Sequence, residues 1–162
     1  MNTADLQSTL TSLCAELVEG VPGKEAYVLN RGDVGLLRSL DRLSAAAASA
    51  RLKGASIAAH VDHLRYSLSL MNRWAAGENP FTDADWSASW RRTNVSEAEW
   101  KTLQAQLATE ARRWLATLRS PREVDQAELN GVVGSIVHLA YHLGAIRQID
   151  VVASGPKEPV QG

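Results

Sequence analysis

Apolar side chains in this sequence recur at steps of three and four residues along four long segments, and this spacing constrains the fold most strongly. Between about Ser56 and Ala76 they form a single seam, made by Ile57, Val61, Leu64, Leu68, Met71 and Ala75. Steps of three or four keep side chains on one face of an α-helix. Comparable faces over about 3–19, 96–119 and 129–152 predict three further long helices, and Ser96 with Glu99 forms a capping-box pattern at the start of the second of these.

The rest of the pattern agrees with a helical fold. A shorter helical piece is predicted over about 34–43, capped by Asp33. Runs of alternating apolar and polar residues between turn signals are absent from the sequence, so no strands are predicted. Four long amphipathic helices predict an all-α four-helix bundle. Two connections are long enough to cross the bundle, so we expect parallel as well as antiparallel neighbours.

Length and composition limit the domain organisation. The 162 residues suit a single domain with a real core. We expect that domain over 1–153, followed by a disordered tail over 154–162 that is rich in Gly and Pro.

Charge and cysteine content limit the partners and the compartment. A formal net charge of −1, with scattered Lys and Arg, predicts no nucleic-acid partner and no membrane partner. The longest uncharged stretch, 131–146, is shorter than the roughly 20 residues of a membrane span, and no signal peptide is recognised. Cys14 is the single cysteine and cannot form an internal disulfide, which fits the reducing cytoplasm.

All four histidines fall in two of the predicted helices. His60 and His63 are three residues apart, and His138 and His142 are four apart. Each pair shares a helix face, so two imidazoles can reach one divalent ion at metal–nitrogen distances of about 2.0–2.1 Å. At 100° per residue, His60 lies about 60° from the centre of the apolar seam and His63 about 120°. We therefore expect His60 at the edge of the core, His63 nearer solvent, and a metal held by His60, His138 and His142.

Three neutral nitrogens without a thiolate are typical of an open site that leaves room for water or substrate. Imidazole ligands suit Zn, Ni, Cu or Fe, and the sequence does not choose among them. Other metal and haem templates are missing: the sequence contains neither H-E-x-x-H, nor Glu-x-x-His, nor C-x-x-C-H. The alternative is that the histidines are hydrogen-bonded core residues and bind no metal. Trp86 and Trp90 are interpreted as packing residues, with a ligand pocket as the alternative, and Asp62 could orient a neighbouring imidazole.

The fourth predicted helix is apolar on two sides. One stripe carries the histidines among small residues, which leave space for a cavity: Gly131, Gly134, His138, His142, Ala145 and Ile149. The opposite side carries Val132, Ile136, Leu139 and Leu143. A helix that is apolar on both sides is buried on both sides. One side can face the bundle and the other a second subunit, so we expect a homodimer.

The segment HLAYHLGAIRQI, residues 138–149, resembles the C-terminal signature of the DinB-like (damage-inducible) four-helix proteins. The segment SIAAHVDH, residues 56–63, is similar to the earlier histidine segment of that family. The likeness extends loosely from the first helix to about Val152. Where many relatives have Gln after the Gly, this chain has Ala145.

The resemblance implies an up-up-down-down bundle with long crossover connections, usually homodimeric and associated with stress responses. It also implies a divalent metal on His60, His138 and His142, with His63 as a supporting or acid–base group. Thiol-dependent S-transferase chemistry on a small molecule is the leading functional hypothesis, and hydrolysis is the nearest variant. A non-catalytic bundle with a structural or sensory metal, or none, is the alternative. The sequence identifies no general base.

Overall fold

A computed structural model describes residues 3–21, 23, 25–51 and 54–157, and these contain helices and no strand. The all-α prediction is therefore confirmed for the described part of the chain. Its helices are α1 Thr3–Glu19, α2 Gly35–Leu40, α3 Ala45–Ser49, α4 Ile57–Ala75, α5 Glu97–Arg119 and α6 Gln126–Ile149, with 3₁₀ turns at Ala88–Arg91 and Val151–Ala153.

Side-chain caps set the starts of the long helices. The Ser56 hydroxyl accepts from the amide of Ala59 at the start of α4. Ser96 and Glu99 form the reciprocal capping box that the sequence suggests for α5. Asp125 forms a second box at α6, which therefore begins three residues before the predicted Leu129. The predicted helix over 34–43 is shorter than expected, because α2 ends at Leu40.

Helices α4 and α5 are parallel neighbours. Near their starts, the Ser56 hydroxyl donates to the carbonyl of Arg92 at 3.3 Å, and farther along, the Asn72 amide donates to the carbonyl of Glu110 at 3.0 Å. Both contacts join residues separated by similar intervals along the chain, so the two helices run in the same direction. The connection over 76–96 must therefore return along the length of the bundle, as the long connections predict.

Helix α1 packs against α5 and α6, and α4 packs against the same two helices. Gln7 and Thr11, in the first half of α1, both donate to the carbonyl of Leu118 at the end of α5, so these helices are antiparallel. Helix α6 is antiparallel to α4, because His60 faces His142 and His63 faces His138. It is therefore parallel to α1, which runs opposite to α4 and α5. The order is up-down-down-up, so the up-up-down-down order implied by the resemblance is wrong. The reason is that α2 and α3 turn the chain over one end of the bundle, and only 76–96 crosses it.

Indole rings fill the centre of the bundle. Trp100 and Trp114 are almost completely buried. The indole of Trp100 donates to the carbonyl of Leu43 at 2.8 Å, and that of Trp114 donates to the Ser135 hydroxyl at 3.0 Å. Cys14 is fully buried in the same core, and burial raises the pKa of its thiol to about 12.

A buried ion pair ties the end of α6 to the segment before α2. One Asp33 oxygen accepts from the Arg147 guanidinium at 2.8 Å and from the amide of Gly35 at 2.9 Å. The chain can approach this closely because Gly20 has a φ of +94° and no side chain; a Cβ there would lie 2.4 Å from the Asp33 carbonyl oxygen. Beside this pair, the Asn30 amide donates to the carbonyl of Pro156. Of the predicted disordered tail, 158–162 lies outside the described residues.

Helix α6 is long and apolar enough to cross a membrane, judged by length and composition alone. Within this fold it instead packs against α1 and α4, with a row of buried residues that includes Leu139, Leu143 and Ile146. Of its most apolar 18-residue window, 39% is buried within this fold, and a single helix of this composition is weak evidence for a membrane span.

Candidate metal centre

The antiparallel pairing of α4 and α6 brings all four histidines into one cluster. Nε2 of His138 lies 3.1 Å from Nε2 of His63 and 2.8 Å from Nε2 of His142. The other ring nitrogen of His142, Nδ1, lies 2.8 Å from Nδ1 of His60. Three nitrogens thus face one point, and the fourth histidine lies behind His142.

The mutually close group is His63, His138 and His142, whose ligand atoms all lie within 4.8 Å of one another. The sequence predicts the set His60, His138 and His142. The structure brings His138 and His142 together as expected, and places His63 in the position that the prediction gives to His60. A histidine binds a given ion through one nitrogen. Nε2 of His142 faces His138, whereas its Nδ1 faces His60, so His60 lies on the side of His142 that points away from the three-histidine group.

The prediction that His63 lies nearer solvent than His60 is wrong. His63 is only 7% exposed, whereas His60 is half-buried. The helical-wheel angle considers one helix and ignores what covers it. Here Trp90, on the long connection, stacks on the His63 ring with centroids 4.5 Å apart and planes at 30°. The same indole meets the edge of His60 at 5.3 Å.

Proton counting shows why this arrangement favours a cation. A neutral imidazole carries one N–H, and each nitrogen has one position for a proton, a partner or a metal. Nε2 of His138 has one such position, yet it lies within hydrogen-bond distance of Nε2 of both His63 and His142, so only one of the two contacts can be a full hydrogen bond. A metal ion would instead accept the lone pairs of all three nitrogens. The arrangement is therefore compatible with a metal site.

The electrostatics keep these rings in the metal-binding form. Burial, reinforced by the neighbouring histidines, lowers the pKa of His63 to about 4 and that of His142 to about 3. Burial also lowers the pKa of His60 and of His138. The four imidazoles are consequently neutral near pH 7, and neutral imidazole is the form that donates to a metal.

The nitrogen separations also fit a metal. With bonds of about 2.0–2.1 Å, two ligands are about 2.9 Å apart at a 90° angle and about 3.3 Å apart at the tetrahedral angle. The observed separations of 2.8 and 3.1 Å lie at or just below these values. The third separation, between His63 and His142, is within 4.8 Å, so the group is close enough to be a candidate metal site.

Second partners orient two of the three rings. The Ser67 hydroxyl lies 3.2 Å from Nδ1 of His138, and His60 contacts Nδ1 of His142. Such contacts to the far nitrogen fix the ring and the tautomer of a metal ligand. Nδ1 of His63 is buried and has no hydrogen-bond partner among the described residues. The stack with Trp90 is what holds that ring.

Replacing Ser67 with alanine is expected to weaken metal binding about 10- to 100-fold, because the far nitrogen of His138 loses its partner. Titration with zinc against a competing chelator measures the effect. Ser69→Ala is the matched control, since that hydroxyl donates to the carbonyl of Tyr66 within α4. Equal affinities of the two variants would contradict the orienting role of Ser67.

Charged residues hold the connection that carries Trp90. Asp62, next to His63 and buried, pairs with Arg65 at 2.9 Å and with Arg92 at 3.0 Å. Arg91 pairs in turn with Asp85. The sequence suggests that Asp62 could orient an imidazole, but its carboxylate instead anchors the connection over the cluster.

Two functional features escape the sequence analysis. Trp86 and Trp90 are interpreted there as packing, yet both rings lie against His63, Trp86 with its centroid 6.0 Å away. The signal in the sequence is the presence of two tryptophans in a connection between two helices, where polar residues are the norm. Ser67 gives no signal of its own, since serine is common on helix surfaces.

No model of a known protein family, no curated protein and no solved structure matches this chain. The class of protein is therefore defined by the fold and the site: an all-α protein with a buried three-histidine group that can hold a metal ion.

Proposed function

We propose that this protein is a metal-dependent enzyme of DinB-like type, acting on a small molecule in the cytoplasm. The observation that carries the proposal is the convergence of His63, His138 and His142 within 4.8 Å. The histidine segments of α4 and α6 that resemble the family contribute these rings, which supports the affiliation.

In this proposal the three histidines are the protein ligands of a divalent ion, and His60 and Ser67 orient two of them. When bound, the ion supplies a Lewis acid that lowers the pKa of a water or thiol. The residues around it exclude solvent: Trp90 covers His63, and α4 and α6 close the other sides. None of the four imidazoles is charged near pH 7, and the neighbouring Asp62 carboxylate is paired with Arg65 and Arg92.

Thiol transfer is preferred to hydrolysis because of the resemblance. In the test reaction, a low-molecular-weight thiol attacks 1-chloro-2,4-dinitrobenzene: a carbon–sulfur bond forms, chloride leaves, and the thiol proton passes to solvent. Zinc-, nickel- and iron-loaded protein is assayed with a panel of thiols, and with ester substrates for hydrolysis. Turnover that needs the metal and is lost in His142→Ala supports the proposal. Rates equal to those of the metal-free protein with every thiol and ester would refute it.

A non-catalytic role is the second candidate, favoured by the way Trp90 covers the cluster and by the hydrogen bonds that join the four histidines. In that case the metal stabilises the fold, or the protein acts as a sensor of the metal. Thermal melting with and without a chelator separates the two. A fold that stays intact after metal removal indicates an open, functional ion, whereas unfolding indicates a structural one.

We also propose that the protein is a homodimer that pairs through the outer face of α6. Val137 and Tyr141 are 62% and 69% exposed there, and Val133 continues the same stripe. Exposed apolar patches of this kind mark protein interfaces. Sedimentation of the wild type and of Val137→Glu gives the mass of each; a monomeric wild type would refute the pairing.

A further inference from the structure

A cavity of about 520 Å³ adjoins the histidine cluster. His63 and His138 line one end of it, and Ser67 lies beside them. The volume falls within the range of about 300–1,000 Å³ typical of small-molecule sites. The cavity therefore opens directly onto two of the three candidate metal ligands.

Aromatic rings form the walls of this cavity. Trp74 and Phe81 meet edge to face, with centroids 5.7 Å apart, and Trp86 lies nearer the histidines. Gly131 makes room for one wall: a Cβ there would lie 2.3 Å from the Trp74 ring. At Gly134, by contrast, a Cβ would meet no heavy atom within 4 Å, so this glycine borders open space.

The lining is uncharged. Apart from His63 and His138, no residue that lines the cavity carries an ionisable side chain. In the metal-free protein, a carboxylate or ammonium group bound here would lose its hydration without gaining an oppositely charged side chain, which is costly. Flat apolar groups gain most from such walls, because aromatic rings pack face to face or edge to face.

We propose that this aromatic cavity, bounded by Trp74, Phe81, Trp86 and Gly134, binds the uncharged, planar aromatic part of the substrate. The inference rests on the proposed function, in which the reacting atom faces the three histidines. It assigns the electrophile to the aromatic cavity. A thiol carrier with free carboxylates finds no cationic side chain among the lining residues, so the carrier is not assigned to this cavity.

The test uses an uncharged planar probe, N-phenyl-1-naphthylamine, titrated into metal-free protein and followed by its fluorescence. Gly134→Leu fills the open space and is expected to weaken binding at least about 10-fold, because the probe loses its apolar contacts. Gly144→Leu is the matched control: it lies on the same helix, also meets open space, and does not line the cavity. Its affinity is expected to stay within about 2-fold of the wild type.

Both variants replace a helical glycine with a better helix former, so both are expected to fold. Two other cavities could also take the probe: one of about 510 Å³ between α1 and the end of α5, and one of about 670 Å³ on the outer face of α6, which Gly134 also borders. Trp86 lines the aromatic cavity and neither of these two, so Trp86→Ala is expected to weaken binding as well. Unchanged affinity in Trp86→Ala would place the probe in another cavity and overturn the proposal. Affinity that is unchanged in Gly134→Leu, or a probe that does not bind the wild type, would overturn the proposal.

The sulfonated probe 8-anilinonaphthalene-1-sulfonate is expected to bind the wild type at least about 5-fold more weakly than the neutral one, since its charge stays unpaired. Equal or tighter binding would overturn the preference for uncharged groups. Zinc affinity is measured separately on each variant. If the protein binds no metal but probe binding still depends on Gly134, the proposed function is refuted and the proposal for the aromatic cavity is retained.

Discussion

Replacing His63 with alanine is expected to reduce metal affinity more than about 100-fold. The apparent free energy of zinc binding at structural sites with four ligands is about 10–16 kcal/mol in favour of binding, and each ligand contributes a large share of it. His60→Ala is expected to cost about 10- to 100-fold, since His60 only contacts the far nitrogen of His142. Metal content after desalting at micromolar concentration shows the difference: His60→Ala keeps about one ion per chain, and His63→Ala keeps none.

The opposite outcome restores the set that the sequence predicts. If His60→Ala loses the ion and His63→Ala retains it, the ligands are His60, His138 and His142, and the His142 ring binds through Nδ1. His138→Ala is common to both sets and is expected to lose the ion in either case. Circular dichroism of each variant shows whether the fold is retained, so that a loss of metal can be assigned to the ligand.

Removing the Asp33 carboxylate is expected to lower the free energy of unfolding by about 3–5 kcal/mol. The substitution Asp33→Ala leaves the Arg147 guanidinium buried without its partner, and this is the costly way to break a buried pair. It also removes the acceptor for the amide of Gly35. Urea denaturation followed by circular dichroism measures the change.

The matched control is Glu78→Ala, which breaks the ion pair of Glu78 with Arg73 on the surface. Both of those side chains are about half exposed, and surface pairs contribute about 0–1 kcal/mol. If the two variants lose the same stability, the Asp33–Arg147 pair does not fasten the end of α6 to the segment before α2.

The helices are predictable from the sequence because apolar spacing and caps are local signals. Ser96 and Glu99 mark the start of α5 correctly, whereas the equivalent pair at Asp125 and Glu128 is overlooked and the start of α6 is placed too late. The directions of the helices depend on where the connections run. The 76–96 connection is long enough to cross the bundle, and it does. The connection from α1 to α4 is also long, but α2 and α3 keep it at one end of the bundle, and its length alone does not reveal this.

The site is predictable in part for the same reason. The i,i+4 spacing of His138 and His142 identifies two rings of the group. The choice between His60 and His63 depends on a tryptophan that comes from another part of the chain. A helical wheel cannot include Trp90, which covers His63 and makes it the more buried ring. The aromatic cavity depends on the same connection, since it contributes Phe81 and Trp86.

The state of Cys14 has a practical consequence for enzymology. A thiol reacts with alkylating agents only as the thiolate, and a pKa of about 12 leaves almost none of it at pH 7. Since the sequence contains no second cysteine, the electrophiles used as test substrates find no reactive thiol on the folded protein. Any thioether that forms can then be traced to the added thiol, and slow labelling of Cys14 would report opening of the core.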